Sequence, residues 1–109
     1  MALRKVEPQL SLDIDRSQPE HVKIRFILDA GHPAGRVSLV GSFNNWTPGV
    51  DELVDDNHGT RGVMVGLPYG EEIVFRYLGP GDFWFDEPDA DEITDQGSLI
   101  HAIERPRSP

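Results

Sequence analysis

The chain has 109 residues, enough for one small domain with a single core. Its 19 Asp+Glu against 10 Lys+Arg give a formal net charge of −9, which opposes nucleic acid and anionic membrane partners, whose capture depends on Lys and Arg. The absence of cysteine excludes a disulfide scaffold, a thiolate zinc site and a cysteine nucleophile.

The start, Met1-Ala2-Leu3-Arg4-Lys5-Val6-Glu7-Pro8, carries no apolar h-region after its basic pair. No run approaches the ~20 apolar residues that span a bilayer. The expectation is a cytoplasmic protein. Residues 1–19 read as an N-terminal extension, in which Leu10, Leu12 and Ile14 alternate with polar residues as a short edge strand would. From residue 20 to 103 the chain reads as β throughout. Val22, Ile24, Phe26 and Leu28 point one way and Lys23 and Arg25 the other. Val37, Leu39, Gly41 and Phe43 repeat that period, as do Val63, Val65 and Leu67, then Ile73, Phe75 and Tyr77. A last run holds Leu99, Ile100 and Ile103. Turn chemistry separates these runs at Asp56-Asn57-His58-Gly59, Leu67-Pro68-Tyr69-Gly70 and Gly79-Pro80-Gly81-Asp82. No apolar stripe holds a helical period. The pattern predicts an all-β protein, a single-domain β-sandwich with packed inner and wet outer faces. Residues 104–109, ending Pro106-Arg107-Ser108-Pro109, read as a C-terminal tail.

Catalytic signatures are weak. Asp82, Asp86, Glu87, Asp89, Asp91, Glu92 and Asp95 crowd one stretch, and a glycosidase needs only two carboxylates at a set separation. With so many acids the sequence nominates no pair, and a solvated acidic loop is the simpler reading. Asp86, Asp89 and Asp91 offer oxygen ligands but lack EF-hand spacing, so no metal is expected. The four His, at 21, 32, 58 and 101, form no zinc motif. Ser42 lacks the flanking glycines of a nucleophile elbow. No catalytic residue and no cofactor is expected.

The unusual feature is aromatic. Both tryptophans of the chain sit in polar, turn-like surroundings: Trp46 after Phe43-Asn44-Asn45, and Trp84 within Gly81-Asp82-Phe83-Trp84-Phe85-Asp86. An exposed indole offers a flat apolar face and one N–H donor. A sugar ring has an apolar C–H face to stack on it and hydroxyls for neighbouring amides and cations. Buried plugs beneath loops are the competing reading, since tryptophan is highly buried on average.

Val37-Ser38-Leu39-Val40-Gly41-Ser42-Phe43-Asn44-Asn45-Trp46 resembles the opening of the family-48 carbohydrate-binding module. That family includes the glycogen-binding domain of the AMP-activated kinase β subunit and the early-set domain ahead of the catalytic domain in isoamylases and branching enzymes. Leu67-Pro68-Tyr69-Gly70, Val74-Phe75-Arg76-Tyr77, Phe83-Trp84-Phe85-Asp86 with Pro88, and Gly97-Ser98-Leu99-Ile100-His101 resemble further family motifs in order. The resemblance covers residues 20 to 103. It implies an immunoglobulin-like early-set sandwich that binds α-1,4-glucan: glycogen, starch or maltooligosaccharide. By position it makes Trp46 and Trp84 the stacking platforms and puts Arg76 where the family has a hydroxyl-bonding Lys. Gln96 stands where glycogen-binding relatives carry an apolar residue, and Ser98 stands in place of a Thr. The family's following Asn is missing. Asn45 is placed at the sugar as well, although Asn44 and Asn45 are expected chiefly to shape the Trp46 loop by bonding nearby backbone.

The leading expectation is thus a stand-alone, non-catalytic module that binds α-glucan through Trp46, Trp84, Arg76, Asn45, Gln96 and Ser98. The alternative is an interaction or regulatory module, with sugar binding lost, that partners a glucan-metabolising enzyme.

Overall fold

A computed structural model describes residues 11–31 and 33–106. Its strands in chain order are β1 (Leu12–Asp15), β2 (His21–Asp29), β3 (Ser38–Gly41), β4 (Asp51–Glu52), β5 (Val54–Asp55), β6 (Thr60–Pro68), β7 (Ile73–Gly79), β8 (Phe83–Phe85), β9 (Glu92–Thr94) and β10 (Gly97–Ile100). One sheet runs β1-β2-β6-β5. The other runs β4-β3-β7-β10-β9, with β8 paired to β7. All of these pairings are antiparallel. The two sheets enclose one core, which is the expected β-sandwich. Among the described residues no helix is long and apolar enough to cross a membrane.

Alternation sorts the residues of the long strands. Val22, Ile24 and Phe26 of β2 and Ile73, Phe75 and Tyr77 of β7 are buried. Lys23, Arg25, Val74 and Arg76, on the opposite faces, are only half-buried. Phe26 meets Phe75 edge-on across the two sheets, ring centres 5.0 Å apart, and Phe75 meets Tyr77 at 5.8 Å in the same manner. The edge strand expected around Leu12 and Ile14 is β1, paired to β2 from Leu12↔Phe26 to Asp15↔Lys23. Leu10 of that expectation, and Arg107, Ser108 and Pro109 of the tail, lie outside the described residues.

Two expectations need correction. The alternation Val37, Leu39, Gly41, Phe43 stops at Gly41, because Ser42–Asn44 form a short 3-10 helix. Val40, on the outer face beside Arg76, is fully buried as well, since the chain after the 3-10 helix folds back over β3 and Gly49 N donates to Ser38 Oγ. The acidic stretch, for its part, is not simply a solvated loop. It contributes β8 and β9, and Glu87 within it is fully buried.

A buried carboxylate is tolerated only when its oxygens are bonded. Glu87 accepts the Tyr77 hydroxyl (2.5 Å), the Asp89 amide (2.8 Å) and the Ser11 hydroxyl (2.5 Å). Its own amide donates to Ser98 Oγ at 2.8 Å. Burial pushes the Tyr77 hydroxyl well above its usual pKa, and the facing Glu87 charge adds to this, so the phenol stays a donor. Ser11 Oγ lies equally close to Asp89 Oδ2, at 2.6 Å, so its single proton bridges the two carboxylates and one node ties Ser11 to the segment between β8 and β9. The sandwich end beside Pro33 is closed differently: buried Arg61 donates to the carbonyls of Gly35 (2.6 Å) and Pro33 (2.5 Å).

Glu87→Ala should orphan the buried Tyr77 hydroxyl and cost about 1–3 kcal/mol or more, as each such group does. Urea unfolding checks this through a lowered midpoint at unchanged slope, and Tyr77→Phe in the same background should then cost little further. A second expectation concerns the exposed His101, whose Nε2 lies 2.7 Å from Glu92 Oε2. That hydrogen bond raises the His101 pKa above 6.5, against a smaller opposing effect of desolvation. A raised folded pKa means the contact contributes fully below pH 6.5 and is lost as pH rises through the raised value. The His101 NMR titration should therefore lie above 6.5, and Glu92→Gln should move it back down.

Candidate functional site

The chain between β3 and β4 is bent by two demands. Gly41 leaves no room for a side chain: a Cβ there would stand 2.6 Å from the Val74 carbonyl oxygen and 2.8 Å from Phe75 Cβ. Asn44 then ties the bend together. Its Oδ1 accepts the Gly41 amide at 3.0 Å, and its Nδ2 donates to the Leu39 carbonyl (2.8 Å) and to Asp51 Oδ2 (2.9 Å). Every polar atom of that amide is used, so the Gly-Ser-Phe-Asn-Asn-Trp run is first a loop-building device.

Asn45 and Trp46 follow in the left-handed region, at φ 57° and 56°. Asn accepts this region readily. A bulky Trp there is an outlier that surrounding contacts must hold. The hold is the Trp46 amide donating to the Gly41 carbonyl at 2.9 Å. The turn carries the indole outward, and Trp46 is 39% exposed.

Strand register supplies the rest of the surface. On the outer face Thr94, Gly97, Arg76 and Val40 form one row across β9, β10, β7 and β3. Trp84 pairs with Leu78 on the neighbouring row and is 47% exposed. Both tryptophans thus stand outside the core. With Arg76 and Gln96 they line one open depression of about 490 Å³. Gly97 makes room for the arginine stem: at φ 142°, a Cβ there would press on the Phe75 carbonyl at 2.7 Å and on Arg76 Cγ at 3.2 Å.

Arg76 is fixed rather than free. Its Nη2 donates to the Asp95 carbonyl at 2.9 Å, and its Nε lies 3.5 Å from Asp86 Oδ1. About a third of its side chain is exposed, so the guanidinium presents an edge to the depression while its other edge is held.

The structure separates the expected binding residues. Trp46, Trp84, Arg76 and Gln96 come together. Asn45 does not line the depression; its role is the left-handed turn that aims Trp46, and its carbonyl accepts the Thr47 hydroxyl at 3.3 Å. Ser98, also expected at the sugar, is fully buried on β10, opposite inward-facing Phe75 of β7, and does not line the depression. Its hydroxyl donates to Asp86 Oδ1 at 2.8 Å and accepts the Glu87 amide. Ser98 therefore reaches the site only through Asp86, which in the sequence is one acid among many. The available signal was alternation: Asp86 stands two residues beyond Trp84, on the side facing Arg76. No protein-family model matches the chain, and no curated protein does.

The Asn44 amide bonds three partners that Asn44→Ala would strand, so this variant should lose about 1–3 kcal/mol. Urea unfolding measures the loss. The indole N–H resonance of Trp46 should broaden or move, while that of Trp84 stays in place.

Proposed function

We propose that this domain binds α-1,4-glucan non-catalytically, in the depression between Trp46 and Trp84. One observation carries the reading. Two indoles, far apart in the chain, stand outside the core on one sheet face, beside a held guanidinium and a carboxamide. A glucan presents apolar C–H faces at ring spacing and a continuous fringe of hydroxyls. Stacking on the indoles desolvates the first. The free edge of Arg76 donates to hydroxyl oxygens, and Gln96 both donates and accepts. The resemblance of residues 37–46 and of the later motifs to the family-48 carbohydrate-binding modules supports the same ligand and an immunoglobulin-like early-set descent. Gln96 and Arg76, where the family has an apolar residue and a lysine, give this site more hydrogen bonding and less apolar contact.

The depression is open and the indoles are half exposed already, so binding buries modest area and needs little rearrangement. Because the chain has only these two tryptophans, its fluorescence reports the site directly. Titration with β-cyclodextrin or maltoheptaose should change Trp emission and saturate. Trp84→Ala should weaken binding by about 2 kcal/mol, roughly 30-fold, as truncation of a stacking anchor does. A folded protein that gives no response at millimolar ligand overturns the reading. Equal binding by wild type and Trp84→Ala moves the site elsewhere.

A further inference from the structure

We propose that Asp86, aimed by buried Ser98, is a specificity determinant that makes the depression take uncharged glucan and reject phosphorylated or sulfated glucan. The proposal rests on the glucan reading and sharpens it. An arginine on a ligand-facing surface ordinarily favours anions, because its planar fork matches phosphate and carboxylate oxygens. Here the fork is already engaged. Asp86 Oδ1 stands 3.5 Å from Nε and offsets the charge, while the Asp95 carbonyl accepts from Nη2 at 2.9 Å. What remains for a ligand is the Nη1 edge of a cation whose charge is partly offset, suited to a hydroxyl oxygen. A phosphate would have to compete with a carboxylate that is already in place.

The carboxylate is not free to swing away. A serine hydroxyl has one proton to donate. The Ser98 oxygen already accepts the Glu87 amide at 2.8 Å, which directs that proton to Asp86 Oδ1, also at 2.8 Å. Ser98 is fully buried, so water does not compete for it. Ser98, Asp86 and Arg76 thus form a chain from the core to the surface, with the charge of its last member partly offset by the second. Exposed acids of the same stretch repel anions too, but through salt-screened solvent. Asp86 differs in acting on the one cation of the depression.

The experiment compares β-cyclodextrin with β-cyclodextrin sulfated at every primary hydroxyl, near physiological salt. Wild type should bind the neutral ring at least about 100-fold more tightly. Asp86→Asn keeps the shape and removes the charge, and should shrink that ratio at least about fivefold. Asp82→Asn removes the same charge from an exposed position two residues before Trp84, and should shift the ratio less than about twofold. Asp86→Ala reads the same ratio should the asparagine variant not fold. Equal shifts from Asp82→Asn and Asp86→Asn overturn the proposal, because only the overall field would then matter. Equal wild-type affinity for both rings overturns it as well. A wild type that binds neither ring removes the glucan reading itself.

Discussion

The edge-on contact of Phe26 with Phe75 is the constraint on which the rest of the molecule depends. It joins the two sheets inside their shared core, with the rings 5.0 Å apart and both residues wholly buried. Fixing Phe75 inward fixes the face of every residue on β7, because a one-residue slip would turn the whole strand over. Tyr77 must then face the core and Arg76 must face out. The register of β7 with β3, β8 and β10 carries that choice to Val40, Trp84 and Gly97. The site face is therefore a consequence of core packing, laid out on strands that the core holds still.

This dependence explains what was legible in the sequence. A period of two is a local signal, and β2 shows it from Val22 to Phe26, β6 from Val63 to Leu67 and β7 from Ile73 to Tyr77, so the faces of those runs could be read directly. The outward setting of Arg76 was readable for the same reason. The two-residue strands β4 and β5 have no periodicity to read, and pair only because β3 and β6 are already in place. Glu87 and Ser98 were harder still. A Glu in an acidic run looks solvated, and what makes it internal is Tyr77, ten residues earlier on β7. Ser98 looks like a surface hydroxyl in a glycine turn, yet its direction is set by pairing with Phe75. Local composition carries no record of such long-range bonds.

Glu87 and Ser98 share a logic. Both are polar groups placed where an apolar residue would pack at less risk, since an incompletely bonded polar group in a core is costly. Every side-chain oxygen has a partner: those of Glu87 meet Tyr77, Ser11 and the Asp89 amide, and that of Ser98 meets the Glu87 amide and Asp86. The return is directional. An apolar core residue fills volume but orients nothing beyond itself, whereas a hydroxyl with a single proton aims its acceptor. The segment from β8 to β10 has few apolar anchors apart from Phe85 and Ile100, and these bonds give it a defined path past the site.

On the other side of the depression the same problem is solved with backbone. Trp46 sits in the left-handed region, where a side-chain-bearing residue loses roughly 1–2 kcal/mol. That cost is borne in the unliganded protein, by a loop already fixed through Asn44 and the Gly41 carbonyl. A tryptophan on a relaxed loop would instead lose its freedom at the moment of binding, and would weaken binding by that amount. Strain at Trp46 and buried bonds behind Asp86 are thus two ways of ordering a surface before any ligand arrives. One acts through the main chain of a turn and the other through side chains reaching out of a core. Both end on groups that flank Arg76, which is why a depression this shallow has fixed walls.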